Sequence, residues 1–149
     1  MDLGTLIRLG IDAERGLAVV ELHDPERFNT MGSALGDDMA RAINELRNRG
    51  GIRGLSLQAA GTVFCAGGNP YNSGSTSFIA SSRALGAGVE GFVNMRGLCF
   101  PVVCAVHGGM VGGAAAIFLH TDLRVAASEA TFQHGNLSRG VCPVAGYSR

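Results

Sequence analysis

The chain has 149 residues, the size of one ordinary domain, and that length buries roughly 70% of the surface its unfolded form exposes without disulfide staples. Twelve basic residues balance twelve acidic ones, and 46% of positions are hydrophobic. This excludes a disordered chain and leaves no electrostatic footprint for nucleic acid or an anionic membrane.

Two compositional facts narrow the chemistry. Every basic residue is arginine, so Schiff-base lysines, lysine general bases and the lysine of a Walker phosphate loop are excluded. Glycine fills 23 positions, about twice the usual ~7%. Such a chain has many places where φ is positive or where a backbone closely approaches a ligand. Cys65, Cys99, Cys104 and Cys142 lack zinc-ligand spacing and no secretory signal precedes them. They read as reduced thiols of a cytoplasmic or organelle-matrix protein, with no metal centre.

In chain order, Thr5 to Ile11 and Leu17 to Leu22 carry clustered or alternating apolar residues around Asp12 to Gly16, which predicts two strands joined by a short turn. Pro25, within His23-Asp24-Pro25-Glu26-Arg27, ends the ladder. From Ser33 to Asn48, Leu35, Met39, Ala42, Ile43 and Leu46 fall at helical spacing, and Gly50-Gly51 supplies the stop. Ile52 to Leu57 reads as a buried strand, so strand, helix and strand form a crossover unit of an α/β sheet. A loop from Gly61 to Ser77 follows, then a softer helix from Phe78 to Leu98 interrupted by Gly86, Gly88 and Gly91.

Phe100 to Leu119 carries no formal charge, enough chain for a membrane span of ~20 residues. Pro101, His107, Gly108, Gly109, Gly112 and Gly113 interrupt it. A buried strand (Val102 to Val106), a glycine turn and a buried helix (Gly113 to His120) fit better. Strands over Asp122 to Ala126 and Ala130 to Phe132 complete the chain, with no repeat or domain boundary.

Chemistry concentrates at two glycine-rich corners, Phe64-Cys65-Ala66-Gly67-Gly68-Asn69 and His107-Gly108-Gly109-Met110-Val111-Gly112-Gly113. Each leaves backbone N–H groups at a turn or helix start where an oxyanion can sit. Taken singly, each is as well explained by an ordinary turn. Neither has the spacing of a dinucleotide fingerprint.

Together these blocks are specific. Leu22-His23-Asp24-Pro25-Glu26-Arg27-Phe28-Asn29 resembles the early proline-asparagine turn of the crotonase (enoyl-CoA hydratase/isomerase) superfamily. Phe64-Cys65-Ala66-Gly67-Gly68-Asn69 is similar to its F-C-A-G-A-D loop. The segment from Pro101 to Gly108, followed by Val111-Gly112-Gly113-Ala114, is similar to its P-V-I-A-A-V-x-G-x-x-x-G-G-G block. Asp122 to Ala127 with Ala130-Thr131-Phe132 resembles the strand pair that follows.

The resemblance implies an α/β crotonase-like spiral of ββα units (the ClpP/crotonase fold). Residues 1–149 would form a partial core domain lacking the C-terminal helices that close the acyl pocket and support trimers. The implied substrate is an acyl thioester whose carbonyl oxygen lies between the N–H groups of Gly68 and Gly113. Donors of that kind are worth roughly 3–4 kcal/mol each. Ala66, Gly67 and Gly112 would line the substrate track. No permanent cofactor is implied; coenzyme A, or the pantetheine of an acyl carrier protein, enters with the substrate. A homo-oligomer is implied if the missing C-terminus is present.

Departures from the pattern matter equally. The two glutamates of the hydratases fall at Ala116 and Asn136, neither a general acid or base, and Asn69 replaces the aspartate after the first corner. Two-glutamate hydration is therefore not expected. His134 is a proton shuttle or a loop histidine bonded to backbone. Tyr71 is a donor to a leaving carboxylate or simply packs. His107 reads as structural and Cys65 as unreactive. Decarboxylation demands least of the side chains, since loss of carbon dioxide makes the enolate without a base, and Gln133 to Tyr147 is similar to polyketide-associated members. Isomerisation through His134 is the second enzymatic option. The rival is a non-catalytic thioester-binding or scaffolding relative.

Overall fold

The computed structural model describes residues 6–68 and 91–134. Strand β1 (Ile7–Asp12) turns into β2 (Leu17–Leu22), and the two pair antiparallel from Ile7 opposite Leu22 to Asp12 opposite Leu17. A single 3-10 turn, Pro25–Arg27, follows where proline was expected to break the ladder. Helix α1 spans Ser33–Asn48, as its apolar spacing predicts, and buries Leu35, Met39, Ala42, Ile43 and Leu46. It ends where Arg49 turns extended at φ −93°.

Strand β3 (Gly54–Ala59) starts two residues later than the apolar run suggests. Gly51 takes φ +84° and the Arg53 N–H bonds the Gly16 carbonyl at 2.7 Å, so the connection rises further before pairing begins at Gly54 opposite Leu17. Of the helix expected over Phe78 to Leu98, residues 78–90 lie outside the described residues. Residues 91–93 are helical and run into a 3-10 turn, Asn94–Gly97.

Strand β4 (Val102–Val106) has its expected bounds. The stretch read as a glycine turn contains a short strand, β5 (Gly109–Val111). Helix α2 (Ala114–Leu119), β6 (Leu123–Ala126) and β7 (Thr131–Gln133) complete the described chain. The main sheet has the order β1-β2-β3-β4-β6, parallel beyond the first hairpin, and β5 pairs with β7 in parallel.

One face of the sheet and α1 make the core: Ile7, Leu9, Val20, Leu22, Leu55 and Leu57 lie buried with the apolar stripe of α1. Asp38 of α1, itself buried, accepts the Leu6 N–H at 3.1 Å and is paired with Arg41, fixing the helix against the start of β1. The far edge differs. Leu123, Val125 and Phe132 are 60%, 60% and 51% exposed on β6 and β7. Among the described residues no helix is long and apolar enough to cross a membrane, so the uncharged stretch from Phe100 is spent on β4, β5 and α2.

Candidate functional site

The two glycine corners converge. Residues 65–68 run as a strip between two neighbours. On one side the Ala66 N–H bonds the Phe28 carbonyl (3.0 Å) and the Met31 N–H bonds the Gly67 carbonyl (2.8 Å), with a parallel bridge between Met31 and Gly68. On the other, the Cys65 N–H bonds the Gly109 carbonyl (3.2 Å) and the Val111 N–H returns to the Cys65 carbonyl (3.0 Å). Gly67, at φ +77°, lies so close to the second corner that a Cβ there would sit 2.3 Å from the Val111 oxygen and 3.4 Å from the Gly113 nitrogen. Only glycine fits that position.

The amides of the strip are nearly all consumed. Ala66 is bonded as above, and the Gly67 N–H is directed at the Cys65 sulfur. The Gly112 N–H donates to the Gln133 carbonyl at 2.7 Å, so its expected place on the substrate track carries no free amide. The Gly68 and Gly113 N–H groups donate to nothing among the described residues.

Peptide planarity sets where these two point. No peptide is cis among the described residues, so each N–H is antiparallel to the carbonyl of its own peptide. The Gly67 carbonyl faces Met31, which turns the Gly68 N–H to the opposite side. The Gly112 carbonyl accepts from the Ala115 N–H (3.1 Å), which turns the Gly113 N–H away from α2. Among the described residues, a Cβ on Gly68 would meet nothing within 4 Å, and one on Gly113 only the Met31 sulfur at 3.6 Å. α2 has six residues, so its dipole adds less than the longer helix expected from Gly113 to His120.

The remaining expected residues divide. Ala116, on the same face of α2 as Gly113, is buried. His134 follows β7 in the chain, next to the Gln133 whose carbonyl holds Gly112, and is exposed. Tyr71 and Asn136 lie outside the described residues. His107 is structural: its Nε2–H donates to the Gly61 carbonyl at 2.8 Å, since a carbonyl only accepts. The Cys65 thiol is fully buried and donates to the Asn29 carbonyl at 3.0 Å, and desolvation pushes it up to about 12, far from a reactive thiolate. Among the described residues no three His, Cys, Asp or Glu side chains group as a metal site.

Two residues at the site hold roles that the sequence reading did not assign, although Asn29 stands in its proline-asparagine block. Asn29 is fully buried at φ 51°, and its amide makes three hydrogen bonds: it accepts the Asp24 N–H (2.8 Å) and donates to the carbonyls of Ala60 (2.9 Å) and Val63 (3.0 Å). Met31 carries the bond to Gly67 and puts its thioether beside Gly113. A signal existed for Asn29 alone, because asparagine tolerates the left-handed region and often terminates such a turn.

Comparison with known proteins identifies the family. The family model described as enoyl-CoA hydratase/isomerase matches residues 12–149. The 1,2-epoxyphenylacetyl-CoA isomerase of Escherichia coli K12 is 31% identical over 138 residues, covering 89% of this chain and 52% of that one. An enoyl-CoA hydratase crystal structure from Polaromonas sp. JS666 superposes with a TM-score of 0.81 at 27% identity, covering 94% of this chain and 55% of the other. A structure from Thermobifida fusca YX solved in complex with CoA shares the fold at a TM-score of 0.79 and 22% identity, covering 93% and 56%. The chain spans about half the length of the curated relatives it matches. With a crotonase-like fold and a family match across most of its length, the chain belongs to the enoyl-CoA hydratase/isomerase family.

Proposed function

We propose that this chain acts on an acyl thioester by stabilising an enolate, with the N–H groups of Gly68 and Gly113 as the two donors to its oxygen. The observation that carries the reading is that these two amides, which donate to nothing among the described residues, belong to corners packed to within van der Waals contact. Such preorganised donors act most strongly on charge that develops during reaction. The acyl carrier is coenzyme A or a protein-bound pantetheine, and the free thiols of Cys65, Cys99 and Cys104 fit a reducing compartment, the cytoplasm.

The reaction is decarboxylation. In a malonyl-type thioester the bond between Cα and the carboxylate breaks, and its electron pair moves into the enolate. Carbon dioxide leaves, and Cα then takes a proton from water or from His134. No base is needed at the first step, in keeping with an alanine at position 116. Isomerisation, with His134 moving the proton between carbons, is the alternative for enoyl thioesters. A non-catalytic thioester binder is favoured only by the same buried Ala116, which offers no acid-base group.

The test is carbon dioxide release and α-proton exchange on malonyl-type and enoyl thioesters. Gly113 already has φ −59°, the angle of proline, so Gly113→Pro deletes the donor at a compatible φ. Its rate should fall roughly 100-fold or more. Gly113→Ala keeps the donor and should stay near the original rate. Equal rates in the two variants remove Gly113 from the site, and saturable thioester binding without turnover establishes the binding-only relative.

A further inference from the structure

We infer that Asn29 is a positioning residue for the two main-chain donors, acting through the buried turn at residues 28–31. The inference rests on the thioester reading above and goes beyond it, because Asn29 touches neither Gly68 nor Gly113.

The route runs through hydrogen bonds on both sides of the 65–68 strip. The Asn29 amide joins three segments, Asp24 before its own turn and Ala60 and Val63 after β3. Both amide hydrogens and the amide oxygen are engaged, in a side chain with no solvent exposure. The Asn29 main chain then accepts the Cys65 thiol, its neighbour Phe28 accepts the Ala66 N–H, and Met31 bonds Gly67. Phe28 and Asn29 both take the left-handed conformation, at φ 53° and 51°. Two adjacent residues hold that conformation only when surrounding bonds over-determine it. The amide supplies those bonds. Without it, the 60–63 loop and the 28–31 turn lose their common reference, and the direction of the Gly67–Gly68 peptide is no longer fixed against Met31. Because the same strip pairs with Gly109 and Val111, the error passes to the corner that carries Gly113.

The test uses the full chain, Asn29→Gly and Cys65→Ala. Glycine accepts φ 51° without strain, so Asn29→Gly removes the amide and not the backbone shape. Cys65→Ala removes the thiol's bond to the turn together with the acceptor of the Gly67 N–H. The probe is acetoacetyl-CoA, whose α-protons are acidic and whose enolate absorbs in the ultraviolet, so the bound enolate fraction at fixed pH reads donor alignment without turnover. Asn29→Gly should lower that fraction about 10-fold, against the roughly 100-fold cost of deleting one donor. Affinity should stay within about threefold, as uniform binding is untouched. Cys65→Ala should lower the fraction about twofold, the scale of a weak S–H bond. A purely structural role would lower the melting temperature and leave the enolate fraction of folded, saturated protein unchanged; that result overturns the inference. If Asn29→Gly does not fold, an unchanged fraction in Cys65→Ala overturns it. If the original chain binds acetoacetyl-CoA without raising its enolate fraction, or does not bind it, the thioester reading fails. The positioning claim is then read from the Gly68 and Gly113 amide resonances, which must shift in the variants for it to stand.

Discussion

The α1–sheet core and the strip between the glycine corners are built from different materials. In the core, Leu35, Met39, Ile43 and Leu46 pack onto Ile7, Val20, Leu55 and Leu57, and stability comes from apolar area removed from water. In the strip, Gly67, Gly68, Gly112 and Gly113 bring almost no side chain. Position is set by main-chain hydrogen bonds, positive φ and the Asn29 amide. The core gives way gradually as atoms are removed, whereas the strip fails when an atom is added.

The sharpest way to break the comparison is Gly67→Ala. Its single methyl would meet the Val111 carbonyl at 2.3 Å on a backbone at φ +77°, and we expect a loss above about 4 kcal/mol, or no folded protein. In the core, Leu57→Ala removes most of a fully buried side chain and should cost about 2–5 kcal/mol by urea denaturation. If Gly67→Ala proves milder than Leu57→Ala, the strip is not as rigid as its bonds imply.

Alkali probes both regions at once. Cys65 in the strip and Cys104 in the sheet are pushed up to about 12 from 9.0 by burial. The unfolded chain ionises these thiols first, so stability should hold below pH 9, fall between pH 9 and about 12, and depend less on pH in Cys104→Ala. Chemical denaturation across that range checks it. Smallest of all is Gly68→Ala, where a Cβ meets nothing within 4 Å among the described residues; we expect a change below about 1 kcal/mol. Set beside Gly67→Ala, it separates neighbours that differ only in where a methyl would go.

What the sequence disclosed follows the same division. β2, α1 and β4 lie where their apolar periods put them, because one buried face dictates each. β3 slipped by two residues since Gly51 and Arg53 delay the pairing through a bond to Gly16, a partner that no local pattern contains. β5 was hidden altogether: Gly109-Met110-Val111 carries turn residues, and it is a strand only because Thr131–Gln133 and Cys65 pair with it. At the site, motif blocks revealed both glycine corners. They could not reveal that Gly112 is already bonded to Gln133, nor that Asn29 holds the arrangement, because each fact depends on a contact far along the chain.

The far side of the sheet has a practical consequence. Among the described residues β6 ends the five-stranded sheet, and it carries Leu123 and Val125 outward. A strand margin that is both apolar and incompletely hydrogen-bonded is a template for a second strand. Preparations of this polypeptide should therefore scatter more light as they are concentrated, and charged replacements at Leu123 or Val125 should keep them clear.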